Sequence, residues 1–118
     1  MSREIISNEK YPLKPHNCPA TKVPGLIFCS GQTAPGPVGP ATTQALSQLK
    51  DVLELAGSSQ EKVLKYNIFL KDMDDYLEMN KAFVAFLPSP CPARTCIQAG
   101  KLPGHPSTTI EIECIAQA

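Results

Sequence analysis

The 118-residue chain has no tryptophan, only two histidines and no pair of cysteines at CxxC spacing. Aromatic residues are 6% of the sequence, and 11 basic side chains balance 11 acidic ones. Zero net charge and few aromatics argue against a protein that binds nucleic acid by neutralising phosphates or stacking bases. The scarcity of histidine and the lack of CxxC argue against a structural metal site. No apolar run approaches the roughly 20 residues that span a bilayer, so we expect no membrane partner.

Cysteine use indicates a reducing compartment. The five cysteines are irregularly spaced, at positions 18, 29, 91, 96 and 114. The first residues, MSREIISNEKYP, contain no hydrophobic segment of a signal peptide. An odd number of cysteines without a secretory signal predicts free thiols in an intracellular protein. We expect a cytoplasmic location, with a mitochondrial one as the alternative.

The first third of the chain predicts two strands and two loops. At 42% hydrophobic and 19% charged residues, the sequence is typical of one globular domain, residues 1–118. Residues 3–7 are predicted to form a short strand, and the proline-rich stretch 11–25 is predicted to be loop for most of its length. The apolar run GLIFCSGQ, residues 25–32, predicts a buried strand. The following TAPGPVGPA, residues 33–41, is predicted to be neither helix nor central strand.

The rest of the chain predicts two helices and three strands. Apolar residues recur every three or four positions from Thr42 to Ala56, which indicates a helix capped by Thr42 or Thr43 and ended by Gly57. Residues 62–72 alternate with a period of two, as in a strand. Asp75 and Glu78 predict a capping box for a second helix that stops at Pro88.

ARTCIQAG (93–100) and STTIEIECIA (107–116) predict two final strands, which gives the order β-β-α-β-α-β-β. This order predicts an α+β fold, with one sheet and two helices packed on one of its faces.

Strand alternation places Arg94, Cys96 and Gln98 on one face of the first of these strands, and Thr95 and Ile97 on the other. If the last two strands are neighbours in the sheet, the faces that carry Arg94 and Glu111 can coincide. The helices are then expected to cover the opposite, apolar face. The Arg/Glu face is left open to water or buried against another subunit.

Each polar candidate has a structural and a functional interpretation. Arg94 is either a surface group, paired with Glu111 or Glu113, or a bidentate clamp for a carboxylate or phosphate. Glu111 is either solvated or a general acid/base that holds a water. Cys96 is either a packing residue or an activated thiolate. Ser30 and Gly31 either offer backbone N–H groups to a ligand or make a turn. Asn80 needs a hydrogen-bond partner within its helix, and His16 is most simply a solvated loop residue.

Six segments occur together in a recognisable order and spacing: IFCSGQ, LKYNIFLKDMDDY, MNKAFVAF, PARTCI, KLP and IEIECIA. In combination they resemble the reactive-intermediate deaminase family (RidA/YjgF, UK114 or L-PSP type), from Ile5 to Ala116. The resemblance implies a chorismate-mutase-like (bacillus-type) fold and a homotrimer. In that trimer the sheets line an inner barrel and three clefts lie between subunits.

The resemblance also implies an activity. Deaminase members of the family hydrolyse 2-imino acids, such as 2-iminobutanoate and 2-iminopropanoate, to 2-oxo acids and ammonia without a cofactor. Arg94 matches the arginine that binds the substrate carboxylate, and Glu111 matches the glutamate that helps to place the attacking water. Cys96 matches a cysteine whose backbone borders the site.

By the same resemblance, Ser30 and Gly31 match a strand-end pair near the substrate, and Asn80 matches an asparagine close to the cleft. The family's G-P-Y stretch, whose tyrosine faces the ligand, is replaced by Lys14-Pro15-His16. His16 therefore stands at the tyrosine position. The alternative functions are a non-catalytic trimeric small-acid-binding or regulatory module, favoured by the K-P-H segment, and a single-stranded RNA endoribonuclease.

Overall fold

A computed structural model describes residues 2–118, which form six strands and two helices. Short 3₁₀ turns, 60–62 and 73–75, precede the fourth strand and the second helix. The elements are β1 (Glu4–Ile6), β2 (Ala20–Val23), β3 (Leu26–Pro35), α1 (Val38–Leu55), β4 (Val63–Leu70), α2 (Tyr76–Phe86), β5 (Ala93–Gln98) and β6 (Thr108–Gln117).

The six strands form one mixed sheet in the order β1-β2-β3-β6-β4-β5. β4 and β5 are parallel and are joined by the crossover helix α2, whereas the other neighbouring pairs are antiparallel. α1 packs on β3, β6 and α2. The core lies between the helices and one face of the sheet, which confirms the predicted α+β architecture. Its largest buried side chains include Ile27, Leu46, Leu49, Leu53, Tyr66, Ile68, Leu70, Phe83, Ile110 and Ile112.

The predicted element order is wrong by one strand. Residues 20–23 form β2, in a segment that composition assigned to a loop. Four residues without proline lie between Pro19 and Pro24, and they pair with β1 on one side and β3 on the other. Tertiary pairing thus turns a short proline-free interval into a strand, although most of the segment is loop as predicted.

Residues 33–41 are also more ordered than predicted. Thr33 to Pro35 complete β3 beside β6, and α1 begins at Val38. Pro40 is the third helical residue, where the backbone nitrogen has no partner within the helix, so the missing N–H costs nothing. Thr42 is consequently inside the helix and not its cap, and its hydroxyl donates to the carbonyl of Val38 at 2.6 Å.

The ends of the helices agree with prediction better than their starts. Gly57 has a φ of +82° after α1, and the amides of Gly57 and Ser58 donate to the carbonyls of Glu54 and Leu53. These two bonds form a Schellman motif, so the left-handed stop is confirmed. The capping box of α2 is wrong, because Asp75 makes no side-chain cap bond. The carboxylate of Asp72 accepts from the amide of Asp74 instead and caps the preceding 3₁₀ turn.

Candidate functional site

The strand register places Arg94 and Glu111 on opposite faces of the sheet. Arg94 lies beside Tyr66 of β4, and Tyr66 lies beside Cys114 of β6. Neighbours in register share a face, and Tyr66 is buried against Phe83 of α2 with ring centroids 5.4 Å apart. Arg94 therefore points to the helix side. Glu111, three residues before Cys114 on β6, points to the open side.

The prediction that the two faces coincide is therefore wrong, although the alternation within β5 is as predicted. β4 lies between β5 and β6, so the last two strands are not neighbours. Thr95 and Ile97 consequently lie on the open side, and Ile97 is 51% exposed. Arg94 and Cys96 are on the helix side. β5 is an edge strand, and its helix-side positions lie at the margin of the core, where a polar side chain can reach water.

Arg94 has no carboxylate partner, which overturns the ion-pair interpretation. Within residues 2–118 the single ion pair is Lys10–Asp51, far from β5 in the chain. The Nη2 atom of Arg94 donates instead to the side-chain carbonyl of Asn80, and to the hydroxyl of Tyr76 at 3.1 Å. Asn80 thus has the partner that a polar residue in the middle of a helix requires.

Aromatic side chains of α2 hold the guanidinium group of Arg94 in place. Its central carbon lies 4.9 Å from the centroid of the Phe83 ring and 5.6 Å from that of Tyr76. Contacts of this kind stabilise a cation at the protein surface by about 0.5–1 kcal/mol. The group is thus fixed in orientation by neutral partners, and its positive charge remains available to an anion.

The surroundings of Cys96 argue against a nucleophilic thiolate. Its side chain lies on the helix side and packs against the core. Burial raises the pKa of the Cys96 thiol and outweighs the opposite effect of the Arg94 charge. The thiol is therefore more fully protonated at neutral pH than an ordinary cysteine, which is typical of an inert packing residue.

A bulge in β3 that comprises Ser30 and Gly31 brings Gly31 close to Glu111. The register passes from Cys29 beside Cys114 to Gln32 beside Ile112, so two residues of β3 face one residue of β6. A Cβ at position 31 would lie 2.8 Å from Cδ of Glu111 and would overlap Oε2. Glycine is therefore what allows this carboxylate to lie against β3.

Ser30 connects the bulge to the preceding loop. Its hydroxyl donates to the carbonyl of Cys18 at 2.7 Å, and its amide donates to the carbonyl of Pro19 at 2.9 Å. Both bonds hold residues 17–19 against β3. The hydroxyl oxygen retains its acceptor capacity, whereas its proton is engaged.

Glu111 is electrostatically suited to proton transfer. Burial and, to a lesser extent, the charge of Glu113 raise the pKa of Glu111. Glu113 is held by the side-chain amide of Asn67, which donates to it at 3.0 Å. A carboxylate whose pKa is shifted toward neutrality is a better general base than an ordinary surface glutamate. Glu111 can therefore hold a water and accept a proton from it.

Replacing Glu111 by glutamine is expected to stabilise the protein at high pH. Because the pKa is raised on folding, the charged form is penalised in the folded state. This loss of folding stability is absent when the pH is below the ordinary pKa of 4.5, and it is complete when the pH is above the raised pKa of the folded state. We expect the Tm of Glu111→Gln to exceed that of the wild type at pH 8, and the difference to vanish near pH 4. Glu54→Gln, on the exposed face of α1, is the matched control. An equal gain at both pH values would contradict this origin.

The loop that carries His16 borders a polar groove on the helix side. The groove has a volume of about 830 Å³ and lies between the loop, the β3 bulge and α1. Ser30, Gly31, Lys14 and Asn17 are among the residues that line it. His16 is exposed at the tip of the same loop and does not line the groove. A ligand contact of His16 therefore stays a prediction.

Sequence reasoning missed the contact between Tyr76 and Arg94. Tyr76 and Asn80 are four residues apart on α2 and so share a face with each other, but only the asparagine was recognised as a candidate. Gln98, on the same face of β5 as Arg94, accepts from the amide of Met73 at 2.8 Å and fixes the turn before α2. The helical spacing of Tyr76 from Asn80 was the available signal.

Residues 2–118 contain neither a cluster of metal ligands nor a membrane-spanning helix. No three His, Cys, Asp or Glu side chains in residues 2–118 are placed so that they could hold a metal ion. None of the helices in the same range is long and apolar enough to cross a membrane.

Comparison with known proteins gives consistent matches over nearly the whole chain. The sequence pattern of the family described as Endoribonuclease L-PSP matches residues 7–118. The mitochondrial protein mmf2 of Schizosaccharomyces pombe is 48% identical over 125 residues, which cover 98% of each chain. The chloroplastic Reactive Intermediate Deaminase A of Arabidopsis thaliana is 33% identical over 98% of this chain and 66% of its own length. The crystal structure of RidA from the Antarctic bacterium Psychrobacter sp. PAMC 21119 superposes with a TM-score of 0.86, at 31% identity, over 98% of this chain and 99% of that one.

Proposed function

The chain belongs to the RidA/YjgF/L-PSP family, and from that premise we propose that it is a deaminase that hydrolyses 2-imino acids to 2-oxo acids and ammonia. The proposed substrates are small, such as 2-iminobutanoate and 2-iminopropanoate. One relative that is 33% identical is itself named a reactive-intermediate deaminase, which supports the reaction class.

The observation that carries the proposal is the state of Arg94. It is a guanidinium without a carboxylate partner, oriented by the side chains of Asn80, Tyr76 and Phe83 at the sheet edge. The planar group matches a carboxylate in shape and charge, so it can anchor the acid end of the substrate. Anchoring one end places the imine carbon at a defined distance from the rest of the site.

Glu111 supplies the second function, which is to activate water. Water adds to the electrophilic imine carbon and gives a carbinolamine, and Glu111 accepts a proton from the attacking water. Both protons of that water pass to the nitrogen, the first of them by way of Glu111; the C–N bond then breaks to release ammonia, and the remaining C–O bond becomes the carbonyl of the 2-oxo acid. The raised pKa of Glu111 suits both the acceptance and the return of a proton.

A complete site requires a second copy of the chain. Arg94 and Glu111 lie on opposite faces of the sheet, so one small acid cannot contact both within a single chain. We propose a homotrimer in which Arg94, Asn80 and the backbone at Cys96 come from one subunit. The other subunit contributes Glu111 with Ser30 and Gly31, and the loop tip that carries His16.

The open face of the sheet supports such an assembly. Phe28 is 43% exposed and Ile97 51% exposed, both on the side that the helices leave uncovered. Apolar side chains gathered on an uncovered sheet face are typical of a surface that another subunit covers.

The deaminase proposal can be tested in a coupled assay. A threonine dehydratase and threonine generate 2-iminobutanoate, and semicarbazide traps the portion that has not been hydrolysed. The wild-type protein is expected to lower the amount of trapped imine in proportion to its concentration, and Arg94→Ala is expected to lose this effect. If the wild type leaves the amount of trapped imine unchanged, the deaminase proposal is wrong.

Two alternative functions are distinguished by measurements on the same proteins. A non-catalytic small-acid-binding module would bind a 2-oxo acid in calorimetry without imine hydrolysis. A single-stranded RNA endoribonuclease would show cleavage that follows the protein through purification and disappears with a site variant. The family is described as an endoribonuclease, but zero net charge argues against strong RNA binding by this chain.

The cellular location is part of the proposal. Two relatives from Schizosaccharomyces pombe, 48% and 46% identical, are named as mitochondrial proteins. These names favour a mitochondrial location for the present chain over the cytoplasmic one expected from its composition. Fractionation of cells that express the tagged protein would distinguish the two compartments.

A further inference from the structure

The hydrogen bonds of Arg94 leave neither edge of its guanidinium free for a carboxylate. A carboxylate binds bidentately across the Nη1/Nη2 edge or the Nε/Nη2 edge, and each edge uses one of the two Nη2 hydrogens. In the present structure Nη2 has two acceptors, the side-chain carbonyl of Asn80 and the hydroxyl of Tyr76. A bound acid must therefore replace one of them.

Tyr76 is the partner that can be replaced. Asn80 is partly buried, whereas Tyr76 is 36% exposed and lies at the solvent side of the cluster. The hydroxyl of Tyr76 accepts from Arg94 at 3.1 Å, and its own proton remains available for donation. The phenol of Tyr76 can therefore donate a hydrogen bond to an anion that binds at Arg94.

We propose that Tyr76 is a second carboxylate-binding residue. A substrate carboxylate takes over the N–H that Arg94 donates to the phenol in this structure, and the phenol turns to donate its O–H to the same carboxylate. The acid is then held by one cation and by one neutral donor. This inference rests on the proposed function, because it requires that Arg94 binds the carboxylate of a small acid.

The electrostatics of the phenol agree with a donor role. The neighbouring side chain of Asn80, then the hydrogen bond from Arg94 and the charge of Arg94, lower the pKa of the Tyr76 hydroxyl. A more acidic O–H forms a stronger hydrogen bond to an anion. The ring itself lies 5.6 Å from the guanidinium carbon, so a phenylalanine at this position would keep the packing and lose only the donor.

Tyr76→Phe separates binding from chemistry. Loss of one hydrogen bond to a charged group corresponds to about a tenfold weaker interaction. We therefore expect the Kd of 2-oxobutanoate and the KM for the imine to rise about tenfold, with kcat changed by less than about twofold. Binding of the neutral 2-oxobutanamide is expected to be the same in Tyr76→Phe and wild type, because the amide has no anionic oxygen.

Controls make the outcomes distinct. Glu78→Gln changes an exposed residue of the same helix and is expected to leave KM and Kd at wild-type values. If the wild type binds 2-oxobutanoate and Tyr76→Phe binds it equally well, the role of Tyr76 is wrong and the deaminase proposal stands. A fall in kcat at unchanged KM would make Tyr76 a support for Arg94 and would also overturn the inference. If the wild type neither binds the oxo acid nor hydrolyses the imine, the proposed function itself is wrong.

Discussion

Arg94→Lys is expected to lower kcat/KM for imine hydrolysis by about 10³-fold, although it conserves the positive charge. Arg94 keeps its position through contacts that only a planar guanidinium makes. It shares Nη2 between Asn80 and Tyr76 and lies over the Phe83 ring. The ammonium group of a lysine can hydrogen-bond either to Asn80 and Tyr76 or to the substrate carboxylate. It cannot do both, because it lacks the planar array of donors that a guanidinium has. Losing one to two hydrogen bonds to a charged ligand corresponds to about 2–5 kcal/mol, which is a factor of roughly 30 to 5,000, and the expected loss lies within that range.

The measurement is the coupled imine assay over a range of protein concentrations, with thermal melting to verify the fold. The chain offers a matched control, because Arg3 is its only other arginine and is exposed before β1. Arg3→Lys is expected to have wild-type activity. If Arg94→Lys retained more than about a tenth of the activity, positive charge alone would be sufficient and bidentate binding by the guanidinium would not be needed.

The sequence predicts well those features that depend on local periodicity. The alternation of Tyr66, Ile68 and Leu70 gives β4 its buried face, and the left-handed Gly57 ends α1 as expected. Features that depend on long-range pairing are predicted poorly. Ala20–Val23 becomes a strand only because β1 and β3 lie on either side of it. Pro40 is compatible with a helix because it falls in the first turn, and composition alone does not locate that turn.

The same distinction applies to the candidate site. Alternation correctly groups Arg94 with Cys96 and Gln98, and a bulge opposite Glu113 brings Gly31 to Glu111. Whether the residues around Arg94 and those around Glu111 share a face of the sheet could not be derived from the sequence. The answer depends on β4 lying between β5 and β6. Inserting one strand between two others changes which residues are neighbours without changing any local pattern. The family resemblance assigns roles to individual residues, but the expectation drawn from it, that one face carrying both Arg94 and Glu111 is buried by a neighbouring subunit, is wrong because Arg94 lies on the helix side.

Mixing two inactive variants is expected to restore activity. In a trimer whose sites lie between subunits, Arg94→Ala lacks the carboxylate anchor in every site and Glu111→Gln lacks the proton acceptor in every site. When the two proteins are unfolded together at equal concentration and refolded, random assembly gives each site a one-in-two chance of an intact Arg94. The chance of an intact Glu111 is the same, so about a quarter of the sites are expected to be complete. The mixture should then recover about 25% of the wild-type rate from parents that have almost none.

This result would depend on the geometry of the sheet and not on either residue alone. If one chain supplied both groups, every site in the mixture would keep one defect, and the rate would stay at the level of the parents. Refolding Arg94→Ala with Tyr76→Phe supplies a control, because both changes affect the group of residues proposed to come from the same subunit. About half of those sites are expected to carry an intact Arg94, in each case together with the Tyr76→Phe substitution. That mixture should therefore show the raised KM of Tyr76→Phe at half its rate, whereas the complemented mixture should have a wild-type KM. Recovery with wild-type KM follows directly from placing Arg94 and Glu111 on opposite faces of one sheet.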